Sequence, residues 1–498
     1  MTVPFTHIDK LYIGNEWVAP QSGETDAVLN PATEEVIGRA PVGGIAEVEA
    51  AIAAAREAFD NGPWPRMSFR ERAAVMRRMH ALLTERLPEI QALTVAEVGS
   101  TIGLAKGTQT ATPLRHMLYG IELAEGITPK TGPIEINPNL WMPSGPDEIG
   151  VVTTVKEPAG VVAGITGYNF PFLLNMSKIV PALLAGCTMV LKPAPFTPFS
   201  GLFFGQIADE IGLPKGVLNI VNGGLDVARL LTTHKDVDLV SFTGSDKVGA
   251  LIMAQAAPTL KTVVMELGGK SALIVRQDAD IEKAALTAVG MMTANAGQGC
   301  ALLTRYLVHN SVRARFVEIA RGALDHWVVG DPADPATMMG PLIRESHRAT
   351  VERYVQWGHD SGATLVAGGG RPEHLARGFF YLPTLFDDVD NASRLAQEEV
   401  FGPVGCVTGF DDDEEAIRIA NESDYGLAGG VMSADRAQAY RMALRIRTGI
   451  VWINGGFGGD MSSHNPFGGY KRSGIGREYG PGWIDEYLQE KAISLPVG

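Results

Sequence analysis

The sequence predicts an α/β fold built from two parallel-sheet units and a small additional β element. Three observations predict it. Between Thr188 and Glu266, apolar strands of about five residues alternate with helical stretches of about ten, the pattern of βαβ units. A second alternating block runs from about Ser271 to Ile450. The stretch 129–149, PKTGPIEINPNLWMPSGPDEI, carries too many proline and turn residues for core, and the end of the chain alternates like a strand from about Leu488 to Leu495.

Taken in order, the first element is AEVEAAIAAAREAF, where Val48, Ile52, Ala55 and Phe59 fall on one helical face. Residues Phe69 to Val98 form a second helical region, broken near Pro88. The apolar region from Gly160 to Val190 is interrupted by Asn169, Pro171, Lys178 and Pro181, so it reads as buried core and not as a membrane span. Strands TMVLK (188–192), VLNIV (217–221), DLVSFT (238–243) and KTVVME (261–266) follow. Helices 200–212, 225–233 and 245–257 separate them. In the second block ALIV, RYLVH and GIVWIN are the candidate strands. The stretch 129–149 and the terminal strand read either as an extended hairpin with a strand that pairs with another subunit, or as a surface loop and a frayed tail.

At 498 residues the chain exceeds what one core usually spans, roughly 250–300 residues, so two or three domains are expected. The formal charge of −14 repels phosphate-coated polymers and anionic bilayers on average, which argues against nucleic acid and membrane partners. The opening MTVPFTHIDK lacks a basic head followed by an apolar run, so no secretory signal is expected. The 3 cysteines, Cys187, Cys300 and Cys406, are far apart and odd in number, which fits free thiols in a reducing cytoplasm. No HExxH, paired CxxC or Gly-x-Ser-x-Gly occurs, so no metal site and no serine hydrolase is expected.

Several short stretches could carry chemistry, and each has a plain alternative. In FTGSDKVG (242–249) a strand ends, Gly244 turns the chain and Ser245 suits a helix N-cap, which offers free N–H groups to a phosphate. The same stretch is equally an ordinary βα turn. Lys192 closes a strand and could reach a ribose or phosphate, or simply be solvated. Asn169, in GYNFPF, could donate to a developing oxyanion, or be a satisfied turn amide. Glu266 ends an apolar strand, where a carboxyl group acquires a raised pKa suited to a general base, or forms a salt bridge. Cys300, in NAGQGCALL, is either a small buried hydrophobe or a presented nucleophile. Gly297 and Gly299 would let ligands approach its sulfur.

These signals fall in one order: Asn169, Lys192, FTGS, ELGGK, GQGC, EEVFGPV and NPFGGYKRSGIGRE. That order resembles the aldehyde dehydrogenase superfamily across nearly the whole chain, and its hydrolytic, non-acylating members because a glutamate stands at 266. The resemblance implies two Rossmann-like domains. Residues 1–128 with 150–265 would bind the dinucleotide, 266–450 would be catalytic, and 129–149 with 480–498 would oligomerise the chain as a dimer or tetramer. It implies Cys300 as nucleophile, Asn169 with the Cys300 N–H as oxyanion hole, and Glu266 as base for deacylation. Lys178 and Glu478 match a proton relay behind it. Thr166, Lys192, Gly244, Ser245, Gly249, Leu267, Glu399 and Phe401 match cofactor contacts.

The implied reaction is NAD(P)-dependent oxidation of an aldehyde to a carboxylic acid through a thiohemiacetal and a thioester on Cys300. Pro195 stands where NAD-preferring relatives often carry a ribose-binding acid, so NAD is expected with NADP as the alternative. Tyr168 replaces a more frequent tryptophan. Ala294 stands where many relatives carry a bulky aromatic, implying a roomier, uncharged wall. The expected substrate pocket is Phe170, Leu174, Ala294, Leu302, Phe457 and Phe467, which suits a medium-sized hydrophobic or aromatic aldehyde. Two competing readings are a CoA-acylating enzyme and a non-catalytic binding protein on the same scaffold.

Overall fold

The computed structural model describes residues 6–137, 144–456 and 462–496. The fold is α/β, as the alternation predicts, with two sheets of mainly parallel strands and three smaller antiparallel ones among the described residues. In the larger sheet the strand order is Glu16–Val18, Leu11–Ile13, Leu218–Ile220, Thr188–Lys192, Val161–Ile165, Leu239–Thr243, Thr262–Glu266 and Gly474–Ile475. The central five strands are parallel, and the outer ones close the edges antiparallel.

Those central strands read as nearly unbroken apolar runs because helices cover both faces. Alternate residues feed two cores. Val161, Ala163 and Ile165 pack with Val48, Ile52 and Ala55 of helix Ile45–Asp60. Val162, Met189 and Leu191 pack on the opposite face with Met176 and Ile179 of helix Pro171–Ala185, and with Phe199 and Phe203 of helix Pro198–Ile211. Both of these helices stop at a left-handed glycine, Gly186 and Gly212. Helix Phe69–Glu85 starts from a Ser68–Glu71 capping box.

The second sheet runs Thr364–Ala367, Thr384–Asp387, Val404–Phe410, Leu303–His309, Ser271–Val275, Ala428–Met432 and Ile450–Ile453. All neighbours are parallel except the first pair. The chain crosses from one sheet to the other at Leu267–Lys270, directly after Glu266. It returns with Gly474–Ile475, which pairs with Met265 and Glu266.

In the third sheet Glu148–Pro158 pairs along its length with Leu488–Pro496, and Lys130–Thr131 and Glu135–Asn137 pair with it too. Two boundaries differ from expectation. This sheet extends to Pro158, past the expected limit at 149. Residues 480–487 are not part of it. Trp483, Ile484 and Tyr487 are buried in the core of the larger sheet, because a run with three large apolar side chains is better buried than left in an exposed strand. Among the described residues no helix is long and apolar enough to cross a membrane.

Candidate active site

Strand Val161–Ile165 is where the larger sheet reverses direction. From it the chain moves outward to Thr188–Lys192 and Leu218–Ile220, then returns on the other side at Leu239–Thr243. A crevice therefore opens beyond the carboxyl ends of 161–165 and 239–243. The loops that leave these two strands, Gly167–Asn169 and Thr243–Ser245, line one wall of a cavity of about 300 Å³. Glu266, Leu267 and Gly268 line it at the crossing between sheets, and Gly299, Cys300, Ala301 and Leu302 face them from the second sheet.

Cys300 sits between helix Ile281–Thr293 and strand Leu303–His309. Asn295, Ala296 and Gly297 have φ of 50°, 54° and 73°. Three successive left-handed residues are costly for L side chains, so the loop must be over-determined by its contacts. Gln298, fully buried, donates through Nε2 to the Asn295 carbonyl at 3.0 Å and accepts the Ile343 N–H at 3.0 Å. Gly297 is not among the residues that line the cavity. A Cβ there would lie 2.1 Å from the Gly402 carbonyl, so its glycine serves the close passage of two backbones. Gly299 does line the cavity.

Asn169 is buried before helix Pro171–Ala185, and its Nδ2 donates to the Gln298 carbonyl at 3.0 Å. Both carboxyl oxygens of Glu266 are buried without a hydrogen-bond partner. Burial and the nearby Glu478 push its pKa well up, against the opposing pull of Lys178 and Arg477. Lys178 and Glu478 form a fully buried ion pair behind it. Burial also raises the Cys300 thiol, and Glu399, Glu266 and Glu478 add to the effect. The thiol is therefore neutral in this arrangement, within a ring of carboxyl groups.

The other end of the cavity holds the residues expected to meet a dinucleotide. Ser245 caps helix Asp246–Ala256, accepting the Val248 N–H. Gly249 admits Leu267, whose side chain would stand 2.7 Å from any Cβ at 249. Glu399 accepts the Gly269 N–H at 3.0 Å, and burial raises its pKa to about 7. Lys192 ends its strand 5% exposed, and burial lowers its pKa to about 8. Its ammonium has no hydrogen-bond partner among the described residues, as a site waiting for an acceptor would require.

Phe170, Leu174, Leu302 and Phe467 line the cavity together with Asn169, Cys300, Glu266, Glu478, Gly244, Ser245, Leu267, Glu399 and Phe401. Thr166, Lys192, Gly249 and Lys178 do not; the Thr166 hydroxyl instead donates to Asn175 Oδ1 at 2.9 Å. Ala294 is not on the wall. It ends helix Ile281–Thr293 and packs against the core of the second sheet, so its small side chain does not widen this cavity. Phe457 lies outside the described residues.

Three lining residues lie outside every stretch the sequence reading singled out for chemistry: Leu173, His347 and Tyr479. Leu173 adjoins an expected residue, Leu174, and could have been found by proximity. His347 carried no local signal. Its Nε2 faces the Phe401 carbonyl at 2.6 Å, and Phe401 itself has φ of 55°. Tyr168 stands edge-on to Phe401 with ring centroids 6.0 Å apart.

Fold and cavity together define an α/β protein with a nucleotide-type crevice and a cysteine beside a buried carboxyl group. The model of the aldehyde dehydrogenase family matches residues 17–493, and the chain belongs to that family. It is 40% identical over 490 residues to aldehyde dehydrogenase 1 of Tanacetum cinerariifolium, covering 98% of this chain and 95% of that protein. A Mycobacterium tuberculosis aldehyde dehydrogenase complexed with NAD+ superposes with a TM-score of 0.92 at 42% identity, covering 98% of each chain. Aldehyde dehydrogenase C of Pseudomonas syringae, a cysteine-to-alanine mutant with NAD+ and octanal, superposes with a TM-score of 0.91 at 39% identity, covering 98% of this chain and 96% of that one.

Proposed function

We propose that this enzyme oxidises medium-sized hydrophobic or aromatic aldehydes to carboxylic acids through a covalent intermediate on Cys300, with NAD as acceptor. The observation that carries the reading is the convergence of the Cys300 thiol, the Asn169 amide and the unpartnered Glu266 carboxyl group in one cavity. Phe170, Leu173, Leu174, Leu302 and Phe467 give that cavity apolar walls. Among the described residues no lysine or arginine lines it, so nothing there would bind a second carboxylate.

The Cys300 thiol gives up its proton to solvent at the cavity, and Glu266 stays ionised for the later deacylation. The sulfur bonds to the carbonyl carbon. The oxygen becomes an anion that accepts the second Asn169 amide proton and the Cys300 N–H, donors typically worth ~3–4 kcal/mol each. The dinucleotide, when bound along Ser245, Lys192 and Glu399, supplies the two-electron acceptor that turns this adduct into a thioester. Glu266 then deprotonates a water. Its oxygen adds to the acyl carbon, the carbon–sulfur bond breaks, and the acid leaves while sulfur recovers a proton. Lys178, paired with buried Glu478, steadies the charge on Glu266 against the opposing push of Glu478 and of burial.

Pro195, in place of an acid, leaves nothing at that position to repel a 2′-phosphate, so NADP is the alternative acceptor. We place the enzyme in the cytoplasm as a homodimer or homotetramer, a reading supported by the free cysteines and by the paired strands Glu148–Pro158 and Leu488–Pro496. An aldehyde panel run with NAD and NADP separately tests the proposal. It expects the highest kcat/KM for aliphatic or aromatic aldehydes. A higher value for succinate semialdehyde, or thioester product formed only with CoA, would overturn it.

A further inference from the structure

We propose that Gln109 is a positioning residue for aldehyde oxidation, holding the Asn169 amide and the Cys300 loop in register; the inference rests on Asn169 serving as the oxyanion donor. Gln109 lies far from Cys300 in the sequence, on the π-helical segment Ala105–Ala111 that interrupts the helices before Thr112–Glu125. Such segments widen one turn and swing a side chain out of the regular helical register. Here the side chain that gains from this is fully buried Gln109.

Its Nε2 donates twice. One bond, at 2.9 Å, goes to the main-chain carbonyl of Asn169, and the other, also 2.9 Å, to Ser100 Oγ. Ser100 donates to Asn295 Oδ1 at 2.6 Å. Asn295 closes the ring, because its Nδ2 donates to the same Asn169 carbonyl at 2.8 Å. The Asn169 carbonyl thus takes two side-chain amides, while the Asn169 side chain donates to Gln298 in the Cys300 loop. Both lone pairs of that carbonyl are committed, which fixes the Asn169–Phe170 peptide plane and the direction in which the Asn169 side chain leaves the backbone.

The ring is organised around the donors and not around the comfort of the glutamine. Gln109 Oε1 is buried with no hydrogen-bond partner. A buried amide serving only to satisfy itself would have that oxygen paired. Two members of the ring, Asn169 and Asn295, lie on different segments, one leading into helix Pro171–Ala185 and one in the left-handed turn before Cys300. Gln109 and Ser100 belong to neither segment and couple them.

The test is a double-mutant cycle with Gln109→Met, Asn169→Ala and the pair, read as kcat, KM for each substrate, dinucleotide affinity and Cys300 alkylation by iodoacetamide. A displaced oxyanion donor lowers kcat by ~10- to 100-fold without comparable change in the binding of dinucleotide. The double variant should lose no more than Asn169→Ala alone, since Gln109 acts through Asn169. Alkylation should persist in all three. Wild-type kcat in Gln109→Met beside a large loss in Asn169→Ala would overturn this inference alone, as would additive losses in the pair. Wild-type kcat in Asn169→Ala would overturn the reading beneath it. Should Gln109→Met not fold, Ser100→Ala opens the same ring on its Asn295 side and should show a smaller kcat loss with the same non-additivity. Wild-type kcat there would overturn the proposal.

Discussion

The Asn169 side chain donates to the Gln298 carbonyl at 3.0 Å, two residues before Cys300. One amide proton thereby ties the β-strand exit of the larger sheet to the cysteine loop, and the other remains for the cavity. Asn169→Ala should lower kcat by ~10²- to 10³-fold, the usual effect of losing one oxyanion donor. Isothermal titration should show dinucleotide affinity unchanged. An unchanged kcat would remove Asn169 from the mechanism.

Lys178 and Glu478 are buried as a pair, and Lys178 also pulls the Glu266 pKa down. Lys178→Met strands Glu478 without its partner, a change that costs ~3–5 kcal/mol in buried pairs. It also removes a cation from beside Glu266, so the Glu266 pKa rises further. Glu266 must be ionised to act as base, so the acid limb of the kcat–pH profile moves to higher pH. Adding Glu478→Gln should recover much of the lost stability in thermal melts.

Lys192 has a pKa of about 8 because burial disfavours its ammonium. Its charge is present below that pH and is lost as pH rises through it. Dinucleotide affinity should therefore weaken as pH rises above about 8 in the wild type. In Lys192→Met affinity should be lower throughout and lack that dependence. Fluorescence titration across pH 6–10 (a range chosen to bracket the titration) reads both, and a persisting dependence in the variant would place the titrating group elsewhere.

Gly297 has φ of 73°, and a Cβ there would meet the Gly402 carbonyl at 2.1 Å. Gly297→Ala should displace the cysteine loop, lowering both Tm and kcat. Gly290, inside helix Ile281–Thr293 with nothing within 4 Å of a Cβ, is the control. Gly290→Ala should stabilise the protein by ~0.4–1 kcal/mol. Equal Tm values for the two variants would contradict the steric account.

The alternation of short apolar strands with helices was readable because both sheet faces are covered, which leaves period and length as clear signals. The gathering of Asn169, Glu266 and Cys300 was legible only through the family resemblance that the order of motifs carries, since each residue read alone had a plain alternative. What escaped depends on contacts across long sequence separations. Gln109 meets Asn169, and Ser100 meets Asn295, through single hydrogen bonds that leave no periodic trace. Ala294 was carried over from the relatives' pattern, and its packing against the core of the second sheet depends on contacts that pattern does not specify. Trp483 and Tyr487 were assigned to the tail, yet they pack into the core, the Trp483 indole donating to the Ser177 carbonyl at 3.2 Å.

The central claim is that Cys300 carries the acyl group and Glu266 releases it. Mass spectrometry of Glu266→Gln, mixed with NAD and a hydrophobic aldehyde, tests this most directly. The account predicts one equivalent of reduced dinucleotide in a burst, then arrest, and a Cys300 peptide heavier by the aldehyde less two hydrogens. An unmodified Cys300 peptide with continued turnover, or an adduct on another residue, would contradict it.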